Sequence, residues 1–148
     1  MKILIDQSSK IEYTHQNSVV PFSNHHHRSI LLKSKDKQEL EAVFRKALKP
    51  KQFICQVFSA LICILIEKEV SHLQQIIIDT EYVGQENLIK NYIIQMLRKK
   101  GLFFDKKLIS FNQVGKKAVC HQIAIDTYNH KLKPDQVVPI SEVLKYIL

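Results

Sequence analysis

Three consecutive isoleucines, Ile76-Ile77-Ile78, closed by Asp79, constrain this chain more than any other feature. A short apolar run with no polar interruption suits a strand buried on both faces of a sheet. Residues 73–80 are therefore expected to form a central strand. The flanking segments carry helical spacing, so this strand is expected to join its neighbours through helical crossovers, which make strands parallel.

Before residue 34 the period is different. Residues 2–6 read as a strand, Gln7-Ser8-Ser9-Lys10 as a turn, and residues 11–20 and 28–33 as two further strands. Short connections between them predict an antiparallel meander. Pro21 falls near the end of the second strand, where a missing N–H does least harm. After residue 33 the apolar residues Leu40, Val43, Phe44 and Ala47 recur at three- and four-residue spacing, with Ser34 or Asp36 available as a cap. Pro50 predicts a break and a restart into the apolar stretch Phe53–Ile66. That stretch contains Gln56 and Ser59 and is shorter than the roughly 20 residues that cross a bilayer, so a buried helix is expected. Residues 85–100 and 117–129 read as helices, 108–111 as a strand and 134–139 as a loop. Ser141 can cap a last short helix, with Glu142 in its first turn.

The expectation is one α/β domain over residues 1–148, with a mixed five-stranded sheet, an antiparallel meander followed by parallel strands, flanked by helices. A chain of 148 residues that is 45% hydrophobic can bury a core of that size. Cys55, Cys63 and Cys120 lie among apolar residues and read as reduced thiols of an intracellular, cytoplasmic protein. The apolar start is broken by Asp6, which argues against a signal peptide, and no membrane partner is expected. Glycine-rich nucleotide fingerprints, Gly-x-Ser-x-Gly and Cys-x-x-Cys pairs are all absent, which disfavours nucleotide-loop, serine-hydrolase and zinc-ribbon chemistry.

The net charge of +8 favours a polyanionic partner, nucleic acid first. On that basic background the acids stand out. Asp6 ends the run Ile3-Leu4-Ile5, Asp79 ends the isoleucine run with Glu81 two residues on, and Asp126 follows His121 by five residues in a helical stretch. Carboxylates at strand ends are held at the rim of a sheet, and several converging there would bind a hard divalent cation. The alternative is ordinary: Asp6 opens a turn, Asp79 and Glu81 cap a helix, and Asp126 is solvated. The paired lysines Lys99-Lys100, Lys106-Lys107 and Lys116-Lys117 would be phosphate contacts or solvated surface. His25-His26-His27 reads as a hairpin turn, because adjacent strand residues point to opposite faces and cannot share one ion.

The element order and these acids resemble the ribonuclease H-like superfamily, which includes Holliday-junction resolvases, integrases and transposase cores. The resemblance spans nearly the whole chain by topology. In that fold a three-stranded meander leads into helix, strand, helix, strand and helix, with metal-binding acids on the first strand, at the end of the fourth and on the last helix. Carried over, the resemblance implies Asp6 (in Ile5-Asp6-Gln7-Ser8), Asp79 or Glu81 (in Ile78-Asp79-Thr80-Glu81-Tyr82) and Asp126 as ligands of Mg²⁺ or Mn²⁺. His121 would be a proton shuttle or outer partner. Ribonuclease H proper also uses a Glu of the first helix, for which Glu39 and Glu41 are available. The implied function is a metal-dependent nuclease acting on DNA or RNA. The alternative is a non-catalytic basic nucleic-acid-binding or assembly module of the same fold.

Overall fold

A computed structural model, which describes residues 1–115 and 118–148, has the meander at its N-terminus. Strands β1 (Lys2–Ile5), β2 (Ser18–Ser23) and β3 (His27–Leu32) pair antiparallel in that order, with Leu4 opposite Ser23 and Val20 opposite Ile30. The second strand starts later than its apolar pattern suggests. Residues 9 to 17 form a looped excursion whose Ile11 is nonetheless fully buried, so an inward-facing loop residue mimicked a strand residue.

Pro21 lies inside β2, a central strand, and not at its end. The register explains why it is tolerated. Ile5 faces Phe22, which puts Pro21 opposite Asp6, one residue beyond β1. The Pro21 carbonyl accepts the Asp6 N–H at 3.2 Å, and the missing N–H falls where the β1 ladder has ended.

Helix α1 (Ser34–Lys46) follows, with Lys33 at its N-cap position. Neither Ser34 nor Asp36 caps it. The Ser34 N–H is met instead by Asn17 Oδ1 at 2.9 Å, and Asp36 sits in the first turn, where its charge favours the dipole. A 3-10 turn at Pro50–Gln52 leads into α2 (Phe53–Ile66), which is buried along most of its circumference. Among the described residues no helix is long and apolar enough to cross a membrane.

Strand β4 (Gln75–Asp79) adds to β1 in parallel, Ile3 opposite Ile76 and Ile5 opposite Ile78. Ile76 and Ile78 are buried in one core with residues of α2 and α3 (Glu86–Lys99); Ile77, on the other face, is only half-buried. The central strand is therefore covered more fully on one side than its sequence implied. Strand β5 (Ile109–Asn112) extends the parallel set at one edge, and α4 (Val119–Tyr128) packs across β2 and β3.

The expected loop at 134–139 contains a sixth strand, β6 (Gln136–Val137), parallel to β3. Ser29 and Asp135 exchange bonds beside it, and Val138 N–H donates to the Leu31 carbonyl at 2.8 Å. Among the described residues the sheet thus has six strands in the order β5-β4-β1-β2-β3-β6, not five. Helix α5 (Ile140–Ile147) begins one residue before Ser141, so Ser141 does not cap it, while Glu142 does sit in the first turn. Cys55, Cys63 and Cys120 are all buried and free.

Candidate metal centre

Two neighbouring parallel strands in register bring the first two acids together. Continuing the pairing of Ile5 with Ile78 sets Asp6 beside Asp79. Because both residues are even steps from the half-buried Leu4 and Ile77, their side chains leave the sheet on the same face, at the edge where both strands end. Glu81 returns to the same point two residues later. Asp6, Asp79 and Glu81 each offer an oxygen within 4.8 Å of the others.

Neighbouring elements fix each carboxylate. Asp6 is 3% exposed; one oxygen accepts the Gln7 N–H at 2.7 Å and the other meets His121 Nδ1 at 2.9 Å. His121 comes from the first turn of α4, so that helix is tied directly to the end of β1. Asp79 Oδ1 accepts the Val114 N–H at 2.8 Å and anchors the segment that follows β5. An open cleft of about 240 Å³ lies over the group, lined by Asp6, Asp79, Thr80, Gln113, Gly115 and His121.

The electrostatics favour a cation. Burial raises the Asp6 pKa above the usual carboxylate value, and the Asp79 charge adds to that rise, against the opposing effects of the Gln7 N–H and His121. Glu81 is pushed up to about 7, first by burial and then by its Asp79 and Asp6 neighbours, with Lys10 opposing. Crowded acids that resist ionisation are relieved by a bound divalent ion, whose charge favours the anionic forms. An all-carboxylate set with one imidazole behind it suits a hard, oxygen-seeking ion such as Mg²⁺ or Mn²⁺ and not a thiolate-seeking one.

The other candidates lie elsewhere. Asp126 is not part of this group, which corrects its assignment as a ligand. Five helical residues carry it about 140° around and roughly 7.5 Å along α4 from His121, away from Asp6. Its carboxylate accepts Gln122 Nε2 of its own helix at 2.9 Å. Glu39 is exposed on α1 and Glu41 pairs with Arg45 at 3.0 Å; neither joins the acids.

Lys99 and Lys100 are likewise not free phosphate contacts. The Lys99 ammonium donates to the carbonyls of Tyr146 and Ile147 at the end of α5, and Lys100 pairs with Glu67 at 3.4 Å above the Tyr146 ring. Both end a helix running back from the acidic edge of the sheet. Lys116 and Lys117 lie outside the described residues. His25, His26 and His27 are exposed around the hairpin, with His26 edge-on to Phe22, and do not gather into a metal group among the described residues.

Sequence reasoning missed the support around Glu81. Tyr82, 9% exposed, takes the Ile11 N–H on its hydroxyl at 3.0 Å and donates to Gln7 Oε1 at 3.1 Å. The signal for it was weak: a tyrosine after an acid, in a loop. Comparisons with protein-family models, curated protein sequences and solved structures find no match to this chain.

Proposed function

We propose that this protein is a metal-dependent nuclease of ribonuclease H-like architecture, hydrolysing phosphodiester bonds of DNA or RNA with Mg²⁺ or Mn²⁺. The observation that carries this reading is the convergence of Asp6, Asp79 and Glu81, from the ends of two adjacent parallel strands, with His121 of α4 bonded to Asp6. The order of meander, helix, strand, helix, strand and helix supports the architecture, and the +8 charge supports a polyanionic substrate. Buried free thiols support a cytoplasmic setting.

In this reading Asp6, Asp79 and Glu81 would hold the ion, which would supply polarisation of the phosphodiester and activation of water for attack. The chain's own contribution is placement. Gln7 and His121 hold the two Asp6 oxygens in fixed directions, and Val114 does the same for Asp79. His121 lines the cleft and has no hydrogen bond on its Nε2 among the described residues, which leaves that nitrogen available for proton transfer.

One observation favours a second reading: among the described residues, α4 supplies a histidine and no acid to the group. A site short of one carboxylate fits a non-catalytic basic module that binds nucleic acid or assembles with it. Cleavage assays on single-stranded, duplex, hybrid and branched substrates separate the two. The nuclease reading predicts cleavage in Mg²⁺ or Mn²⁺ that is abolished by chelator and by Asp6→Asn. Equal residual cleavage by wild type and Asp6→Asn would assign it to a contaminant and leave the binding module.

A further inference from the structure

A buried ammonium organises the loop beside the acids. Lys37 of α1 is fully buried and donates to the backbone carbonyls of Lys10 (3.0 Å), Tyr13 (2.7 Å) and Gln16 (2.8 Å) and to Ser18 Oγ (2.8 Å). An ammonium has three N–H donors, so four acceptors surround it completely. Burial lowers its pKa to about 8, which leaves it charged at neutral pH. Loop carbonyls that no ladder satisfies are costly to bury, and a buried charge is costly unless it is fully bonded. Each need answers the other here, and the loop gains a fixed shape without secondary structure.

That shape sets Lys10 against Tyr82, the residue after Glu81. The next residue, Ile11, is tied through its N–H to Tyr82, which follows Glu81. The Lys10 ammonium stands 5.7 Å from the centre of the Tyr82 ring, and its charge acts on Glu81, opposing the rise in that pKa. Among the described residues it forms no ion pair and no hydrogen bond. A lysine serving only to neutralise the acids would rest on one of them. Lys10 is instead steadied by an aromatic face while its three donors stay open. Lys99 and Lys100, by contrast, are committed to partners within the fold.

Resting on the nuclease reading above, we propose that Lys10 contacts the phosphate of bound nucleic acid at the site, and that Lys37 is the positioning residue that fixes Lys10 there. A phosphodiester brought to the acids carries its own negative charge, and the ions alone do not orient it. An ammonium on the Glu81 flank supplies charge-assisted hydrogen bonds to a non-bridging oxygen, and these strengthen as charge develops during cleavage.

The test measures binding of labelled single-stranded DNA and RNA oligonucleotides across a salt series, with Ca²⁺ replacing Mg²⁺, alongside Mn²⁺ affinity and cleavage in Mn²⁺. Lys10→Ala should lower the slope of log affinity against log salt by about 1. It should cut cleavage about 100-fold while leaving Mn²⁺ affinity within about twofold. Lys10→Arg should restore most of both. Lys37→Met should reproduce the loss of slope, and the Lys10→Ala, Lys37→Met double variant should lose no more, because both remove one contact. A purely structural Lys37 would not share its effect with Lys10 in this way. If Lys37→Met fails to fold, the Lys10 variants decide alone. An unchanged salt slope in Lys10→Ala overturns the proposal. Wild type that takes up no Mn²⁺ overturns the nuclease reading instead, and the slope comparison still judges Lys10.

Discussion

Replacing Glu81 by glutamine should stabilise the metal-free protein at pH 8 and do so far less at pH 5. Glu81 titrates at about 7 in the fold, above its ordinary value of 4.5. A carboxyl whose folded pKa is raised holds its proton more tightly when folded, so its stabilising contribution is complete below 4.5 and is lost as pH rises through 7. The rise of about 2.5 units sets a ceiling of about 3.4 kcal/mol at 1.36 kcal/mol per unit. Glu81 is only partly buried, so solvent screening reduces this to roughly 1–2 kcal/mol. For a chain of 148 residues that corresponds to about 3–6 °C in Tm. Differential scanning fluorimetry of wild type and Glu81→Gln in chelator, at pH 5 and pH 8, measures it as the difference between the two proteins, which cancels the histidines and other groups titrating in both. Saturating Mn²⁺ at pH 8 should reverse the order, stabilising wild type by about 2.7 kcal/mol at 100 times Kd and the variant by less. A difference equal at the two pH values, or a variant less stable at pH 8 in chelator, would refute the account of crowded, ionisation-resistant acids.

Lys37→Met should destabilise the fold by about 1–3 kcal/mol in urea unfolding, because it strands the Gln16 carbonyl and leaves those of Lys10 and Tyr13 with only their backbone N–H partners; a loss below about 1 kcal/mol would contradict its role as hub of the loop. Lys99→Ala should cost about 0.5–1 kcal/mol through the lost cap on α5, with nucleic-acid affinity unchanged; weakened binding at the same stability would return Lys99 to the phosphate contacts. Asp126→Asn should leave Mn²⁺ affinity and cleavage within about twofold of wild type, and calorimetry showing a larger loss would place it back in the site.

The parts of the fold that the sequence made legible are those whose apolar pattern follows from burial alone. The isoleucine run of β4 and the stretch Phe53–Ile66 have one reading each, and both elements stand where their letters put them. Asp6 and Asp79 were legible for the same reason, since a carboxylate closing a buried strand sits at the sheet edge. That the strands pair in register, so the acids become neighbours, needed the structure. Strand β6 is two residues long between prolines, too short for any alternation to register. The loop at residues 9 to 17 owes its shape to Lys37, 21 to 27 residues away in sequence from the carbonyls it binds, and no local pattern encodes that. Asp126 was misplaced because helical phase, not proximity in sequence, decides which residue faces the sheet. Lys99 and Lys100 resemble free surface charges until α5, folding back from far along the chain, places its C-terminus and Tyr146 against them.

The most direct test of the metal centre is anomalous diffraction from crystals of the protein soaked in Mn²⁺. The account predicts anomalous density among the carboxylates of Asp6, Asp79 and Glu81, with His121 still bonded to Asp6, and its loss in Asp6→Asn crystals treated in the same way. Density confined to the hairpin histidines His25, His26 and His27, or none at the three carboxylates at millimolar Mn²⁺, would contradict it.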